Sequence, residues 1–169
     1  MPQKPSTPTE EPADKRSRKT AIVAHCILNQ NARAQGIAKR PNAIAEVTKF
    51  LLQNHVGLVQ MPCPEMAYAG LPRKTRTKQE YDKPSYRRKC RTIAEETIYV
   101  IRRYLSGQVA VKVVLGVEGS PSCGISDPGI LVEELQSSLK RNGISVPFLE
   151  VGYEMTDELL SRLREIVKS

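Results

Sequence analysis

Four cysteines, Cys26, Cys63, Cys90 and Cys123, are the side chains of this sequence best suited to chemistry. A thiolate is a nucleophile and a soft metal ligand. Cys63 lies between two prolines and is followed by Glu65, a carboxylate able to serve as a general base or to pair with a nearby arginine. Cys123 sits in the stretch Gly119-Ser120-Pro121-Ser122-Cys123-Gly124, just after Glu118. Ser120 and Ser122 are placed there to hydrogen-bond a ligand or to shape the turn. No two cysteines form a Cys-x-x-Cys pair, so spacing alone gives no zinc-finger or ferredoxin signature. A site made of these thiols has to be assembled by the fold. The glycines have neither dinucleotide-binding nor phosphate-loop spacing.

The elements that position these residues follow from hydrophobic periodicity. Residues 1–19 are rich in Pro, Ser, Thr and charge, and read as a flexible polar tail. Residues 20–169 read as one α/β domain. Strands are expected at 20–24, 58–61, 109–115 and 146–151, the last demoted toward an edge by Pro147. Between them, helical spacing appears from Asn42 to Leu52, from about Pro84 to Gly107 and from Gly129 to Arg141, and again after Thr156. This alternation predicts a single Rossmann-like domain, a mostly parallel four-stranded sheet with helices on both faces.

In a parallel sheet the C-terminal ends of all strands lie along one edge, where ligands bind. Cys26, Cys63 and Cys123 each follow a different strand, so element order alone places three thiols at one rim. Cys90, inside the long helix, is expected away from it. Three thiolates there could hold zinc, with His25 or water as fourth ligand. They could equally hold an iron–sulfur cluster with one iron left open to substrate. The plain alternative is three small buried hydrophobes. His25 would point away from Cys26 if the first strand continued through it, and His55 reads as a loop residue.

Composition narrows the setting. No apolar run is long enough to cross a membrane and no signal-peptide pattern follows Met1, which favours a cytoplasmic protein with no membrane partner. Nine Lys and Arg between Arg73 and Arg91, against Glu80 and Asp82, supply nearly all of the net charge of +8. Such a segment suits an anionic ligand or an RNA contact, or is a solvated surface. With aromatics at only 5%, platforms for stacking bases are scarce, which weighs against a pure RNA-binding module.

Cys63-Pro64-Glu65, Gly70-Leu71-Pro72-Arg73 and Ser120-Pro121-Ser122-Cys123-Gly124 together resemble the thiouracil desulfurase family. The first loop, Cys26-Ile27-Leu28-Asn29-Gln30-Asn31-Ala32-Arg33, is similar to that family's Cys-Leu-Leu-Gly-x-Asn-x-Arg. It departs from the pattern at Asn29 and at Ala34-Gln35-Gly36, where the family has Tyr-Asp-Gly. The resemblance implies a [4Fe–4S] cluster on Cys26, Cys63 and Cys123, with zinc the alternative. It also implies removal of sulfur from a thiocarbonyl compound such as a thiolated nucleobase, nucleotide or related small molecule; Glu65 and Ser120 are the candidate assisting groups.

Overall fold

The computed structural model describes residues 14–168, so most of the expected tail, residues 1–13, lies outside the described residues. Four β-branched segments form strands β1 (Lys19–Ala24), β2 (Gly57–Met61), β3 (Ala110–Val117) and β4 (Phe148–Val151). All neighbours pair in parallel, in the order β2-β1-β3-β4. β1 begins at Lys19, one residue before its expected start at Thr20 and on the last residue of the expected tail. β1 and β3 occupy the centre, and Ala21 to Ala24 and Val113 to Leu115 are buried almost completely.

The connections carry α1 (His25–Leu28), a 3-10 turn at Gln30–Ala32, α2 (Ala45–Gln53), α3 (Pro64–Ala69), α4 (Lys78–Tyr81), α5 (Pro84–Ser106), α6 (Ile130–Arg141) and α7 (Asp157–Lys168). α2 starts three residues after the Asn42 cap expected from sequence, because Asn42 spends its side-chain oxygen on the N–H of Ala43. Thr156 does cap α7, accepting the N–H of Leu159 at 3.2 Å. α5 buries Tyr86, Cys90, Ile93, Ala94, Thr97, Ile98 and Ile101 and packs along α6. Leu105, in the last turn, is exposed.

Chain direction across the sheet reverses at β1, from which β2 lies on one side and β3 on the other. With right-handed crossovers this reversal puts α2 on one face and α5 and α6 on the other. It also opens a crevice beyond the C-terminal ends of β1 and β3, the position where doubly wound sheets bind ligands. Among the described residues, no helix is long and apolar enough to cross a membrane.

Candidate functional site

Each of the three thiols is positioned by a different local device. The chain leaves extended geometry at Ala24 and enters α1, so Cys26 turns with the helix. Gln30, fully buried, holds this loop by donating its amide to the Cys26 carbonyl at 2.6 Å and accepting the N–H of Lys39. Cys63 caps α3, its sulfur accepting the N–H of Met66 at 3.4 Å, and Pro64 takes the first helical position, where no N–H is needed. Cys123 belongs to a loop that curls back on β3: the N–H of Val117 donates to the Cys123 carbonyl at 2.9 Å. Gly119 turns that loop at φ +66°, a left-handed conformation that favours glycine. Gly129, before α6, lets the loop approach: a Cβ there would sit 2.3 Å from the Ser122 carbonyl carbon.

These devices deliver Cys26, Cys63 and Cys123 to one cavity of about 150 Å³, which Glu65, Ser120, His25, Arg33 and Arg73 also line. Burial pushes the Cys26 thiol up to about 11, raises Cys63, and raises Cys123 well above the ordinary thiol range. After burial, Cys26 and Cys63 are the next causes that raise Cys123, followed by Glu65 and Cys90. A cation in that space would relieve both the burial and the repulsion, and soft thiolates select zinc or iron–sulfur groups. Among the described residues, no three His, Cys, Asp or Glu side chains stand close enough to grip a single ion.

Glu65 is the best-anchored polar group of the cavity. Its Oε1 accepts the Ser122 hydroxyl at 2.9 Å, and its Oε2 lies 3.5 Å from both Arg73 Nε and the Tyr81 hydroxyl. The Arg73 approach is an ion pair without the alignment of a hydrogen bond. Ser120 accepts the N–H groups of Ser122 and Cys123 at 3.3 and 3.0 Å, shaping the turn while its own O–H stays available to the cavity. Ser122 does not face the ligand space. It is fully buried and bonded to Glu65 and Tyr86.

Other residues fall differently from their sequence expectation. His25 lines the cavity, because the strand ends before it and the alternation that would have turned it away is lost. Its Nδ1 is buried without a partner, and burial lowers its pKa. Cys90 is a core thiol, pushed up to about 12 by burial, and does not line the cavity. Glu118 is exposed and lines a different hollow, with Glu150 and Tyr153.

Within the basic segment the cations serve different ends. Arg73, 4% exposed at its side chain, donates to the carbonyls of Ala32 (2.7 Å) and Gly70 (3.1 Å) and approaches Cys63 Sγ at 3.7 Å. It therefore clamps the Cys26 loop to the Cys63 loop. Lys78, Arg87 and Arg91 are paired with Asp82, Glu133 and Glu134. Lys74, Lys83, Arg88 and Lys89 remain exposed. The internal role of Arg73 was missed by reading it as one charge among nine; its place in the Gly70-Leu71-Pro72-Arg73 motif was the available signal.

A family model described as "Putative 2-thiouracil desulfurase" matches residues 18–169, and the chain belongs to that family. An uncharacterized protein of Methanocaldococcus jannaschii is 35% identical over 156 residues, covering 90% of this chain and 99% of the relative. No solved structure matches.

Proposed function

We propose that this member of the family holds a [4Fe–4S] cluster on Cys26, Cys63 and Cys123 and removes sulfur from a thiocarbonyl compound, a thiolated nucleobase, nucleotide or related molecule. The reading is carried by one observation: three thiols from three strand ends share a cavity with an anchored carboxylate, Glu65. A cluster is favoured over zinc because, among the described residues, no three His, Cys, Asp or Glu side chains stand close enough to grip a single ion. Zinc bound at about 2.3 Å to each sulfur draws its thiolates to within roughly 4 Å of one another, whereas cluster cysteines each bind a separate iron. When bound, the cluster supplies a thiophilic Lewis acid, since three cysteines leave one iron without a protein ligand.

The chain's own residues supply the rest. Glu65 accepts a proton from the water that attacks the thiocarbonyl carbon; the carbon–sulfur double bond is replaced by a carbon–oxygen one, and sulfur leaves as hydrogen sulfide with no net redox change. Arg73 pairs with Glu65 and holds its loop in place. Ser120 offers a hydroxyl hydrogen at the cavity wall to the reacting substrate.

Anaerobic purification followed by iron, sulfide and zinc analysis tests the cofactor, with about four irons and four sulfides per chain expected for a full cluster. Sulfide release from thiolated bases, nucleotides and tRNA tests the reaction. Iron content unchanged after Cys26→Ala, Cys63→Ala and Cys123→Ala defeats the central assignment. The exposed cations Lys74, Lys83, Arg88 and Lys89 support a second reading, a non-catalytic RNA contact, which predicts RNA binding without sulfide release.

A further inference from the structure

A buried chain of hydroxyls stands behind Glu65. Ser122 Oγ lies 2.9 Å from Glu65 Oε1, and the Tyr86 hydroxyl lies 2.6 Å from Ser122 Oγ. Ser122 and Tyr86 are both completely buried. A hydroxyl carries one hydrogen and a carboxylate none, so the direction is fixed while Glu65 is ionised: Ser122 donates to Glu65 and Tyr86 donates to Ser122.

The Tyr86 ring has little freedom to move. It stacks on Tyr81 at 4.6 Å between centroids and meets the edge of Tyr68 at 5.1 Å. Tyr81 also approaches the other Glu65 oxygen. On the far side, the chain of polar groups reaches the Cys90 thiol, which has no solvent exposure. The chain is therefore closed at its inner end and gives protons no exit to water. What remains for it to do is directional: a serine hydroxyl that receives a hydrogen bond at its lone pair is held in one rotamer and donates more strongly.

We infer that Tyr86 is a positioning residue for Glu65, acting through Ser122 so that the carboxylate is held in a single orientation toward the thiol-lined cavity. This rests on the desulfuration reading for its catalytic consequence, though not for the coupling itself. Tyr86 lies in the first turn of α5, outside the loops that carry the thiols, and its aromatic cluster draws on three of the six tyrosines in the chain. Two of these, Tyr81 and Tyr86, are buried beside the carboxylate.

The test uses the anaerobically purified full chain with 2-thiouracil as probe, in wild type, Tyr86→Phe, Ser122→Ala and the double variant. Tyr86→Phe should keep its iron content and a KM within about twofold, while kcat falls roughly fivefold to twentyfold, a split that loss of stability alone does not produce. In the Ser122→Ala background the same change should cost nothing further. An unaltered kcat, or a loss undiminished without Ser122, overturns the inference. Failure of the wild type to release sulfide refutes desulfuration of this probe instead. In that event urea unfolding of Tyr86→Phe, Glu65→Ala and their double variant decides the coupling: non-additive midpoints sustain it, and additive ones overturn it.

Discussion

Arg73→Met isolates the internal clamp of the site. Methionine keeps an unbranched stem of similar length but removes every donor. The variant leaves the carbonyls of Ala32 and Gly70 without that partner and Glu65 without its cation. Removing one member of a buried ion pair typically costs about 3–5 kcal/mol. Glu65 is 13% exposed and keeps Ser122 and Tyr81, which places the loss toward the low end, at roughly 3–4 kcal/mol. For a chain of this size that corresponds to a fall in Tm of roughly 10 °C. Urea midpoints at unchanged m, in preparations matched for iron, measure it. Arg88→Met, at an exposed position of the same basic segment, is the control and should stay within about 0.5 kcal/mol. Adding Glu65→Gln to Arg73→Met removes the uncompensated charge and should recover part of the loss. If Arg73→Met costs no more than Arg88→Met, or if Glu65→Gln recovers nothing, the clamp is not electrostatic and the reasoning fails.

Three further outcomes follow from the same geometry. Gly129→Ala forces a Cβ to 2.3 Å from Ser122 and should cost about 3 kcal/mol or more, with iron lost from the purified protein; Gly119→Ala, with open space but φ +66°, should cost only about 1 kcal/mol and keep its iron. Because burial holds Cys26, Cys63 and Cys123 as neutral thiols near pH 7, anaerobic reconstitution should release about three thiol protons per cluster in addition to those given up by the added sulfide, read in weakly buffered solution with a pH indicator. The thiol pKa values are raised, so protons compete with metal throughout the neutral range and reconstitution should become more favourable as pH rises from 6 to 9. Cys90→Ala should leave iron content unaltered while lowering stability through the core, which atomic absorption and urea unfolding report separately.

What the sequence could and could not convey divides along a physical line. Strands and long helices were legible because burial imposes a period: Val113, Val114 and Leu115 have to be apolar to occupy a central parallel strand. Their order then placed Cys26, Cys63 and Cys123 at one rim without any knowledge of contacts, and the three do line one cavity. α3 and α4 were not legible, since four to six residues hold too few turns for a helical period to emerge. The orientation of His25 depended on whether β1 ran one residue further, which hydrophobicity does not encode. Ser122 was equally ambiguous. A serine in a glycine- and proline-bearing loop reads as turn chemistry, and its partners Glu65 and Tyr86 arrive from other elements.

The same distinction explains why charge was the least transparent signal. Net charge counts Arg73 and Arg88 alike, yet one is buried between two cysteine-bearing loops and the other is exposed on α5. The difference comes from what the rest of the fold presents. Glu65 and two loop carbonyls converge on Arg73, whereas Glu133 and Glu134 on α6 draw Arg87 and Arg91 along the outside. A buried guanidinium is tolerated only where acceptors and a counter-charge satisfy it. Glu65 and Arg73 therefore have to be understood as one unit: each makes burial of the other tenable, and together they fix two of the three thiol-bearing loops around the same cavity.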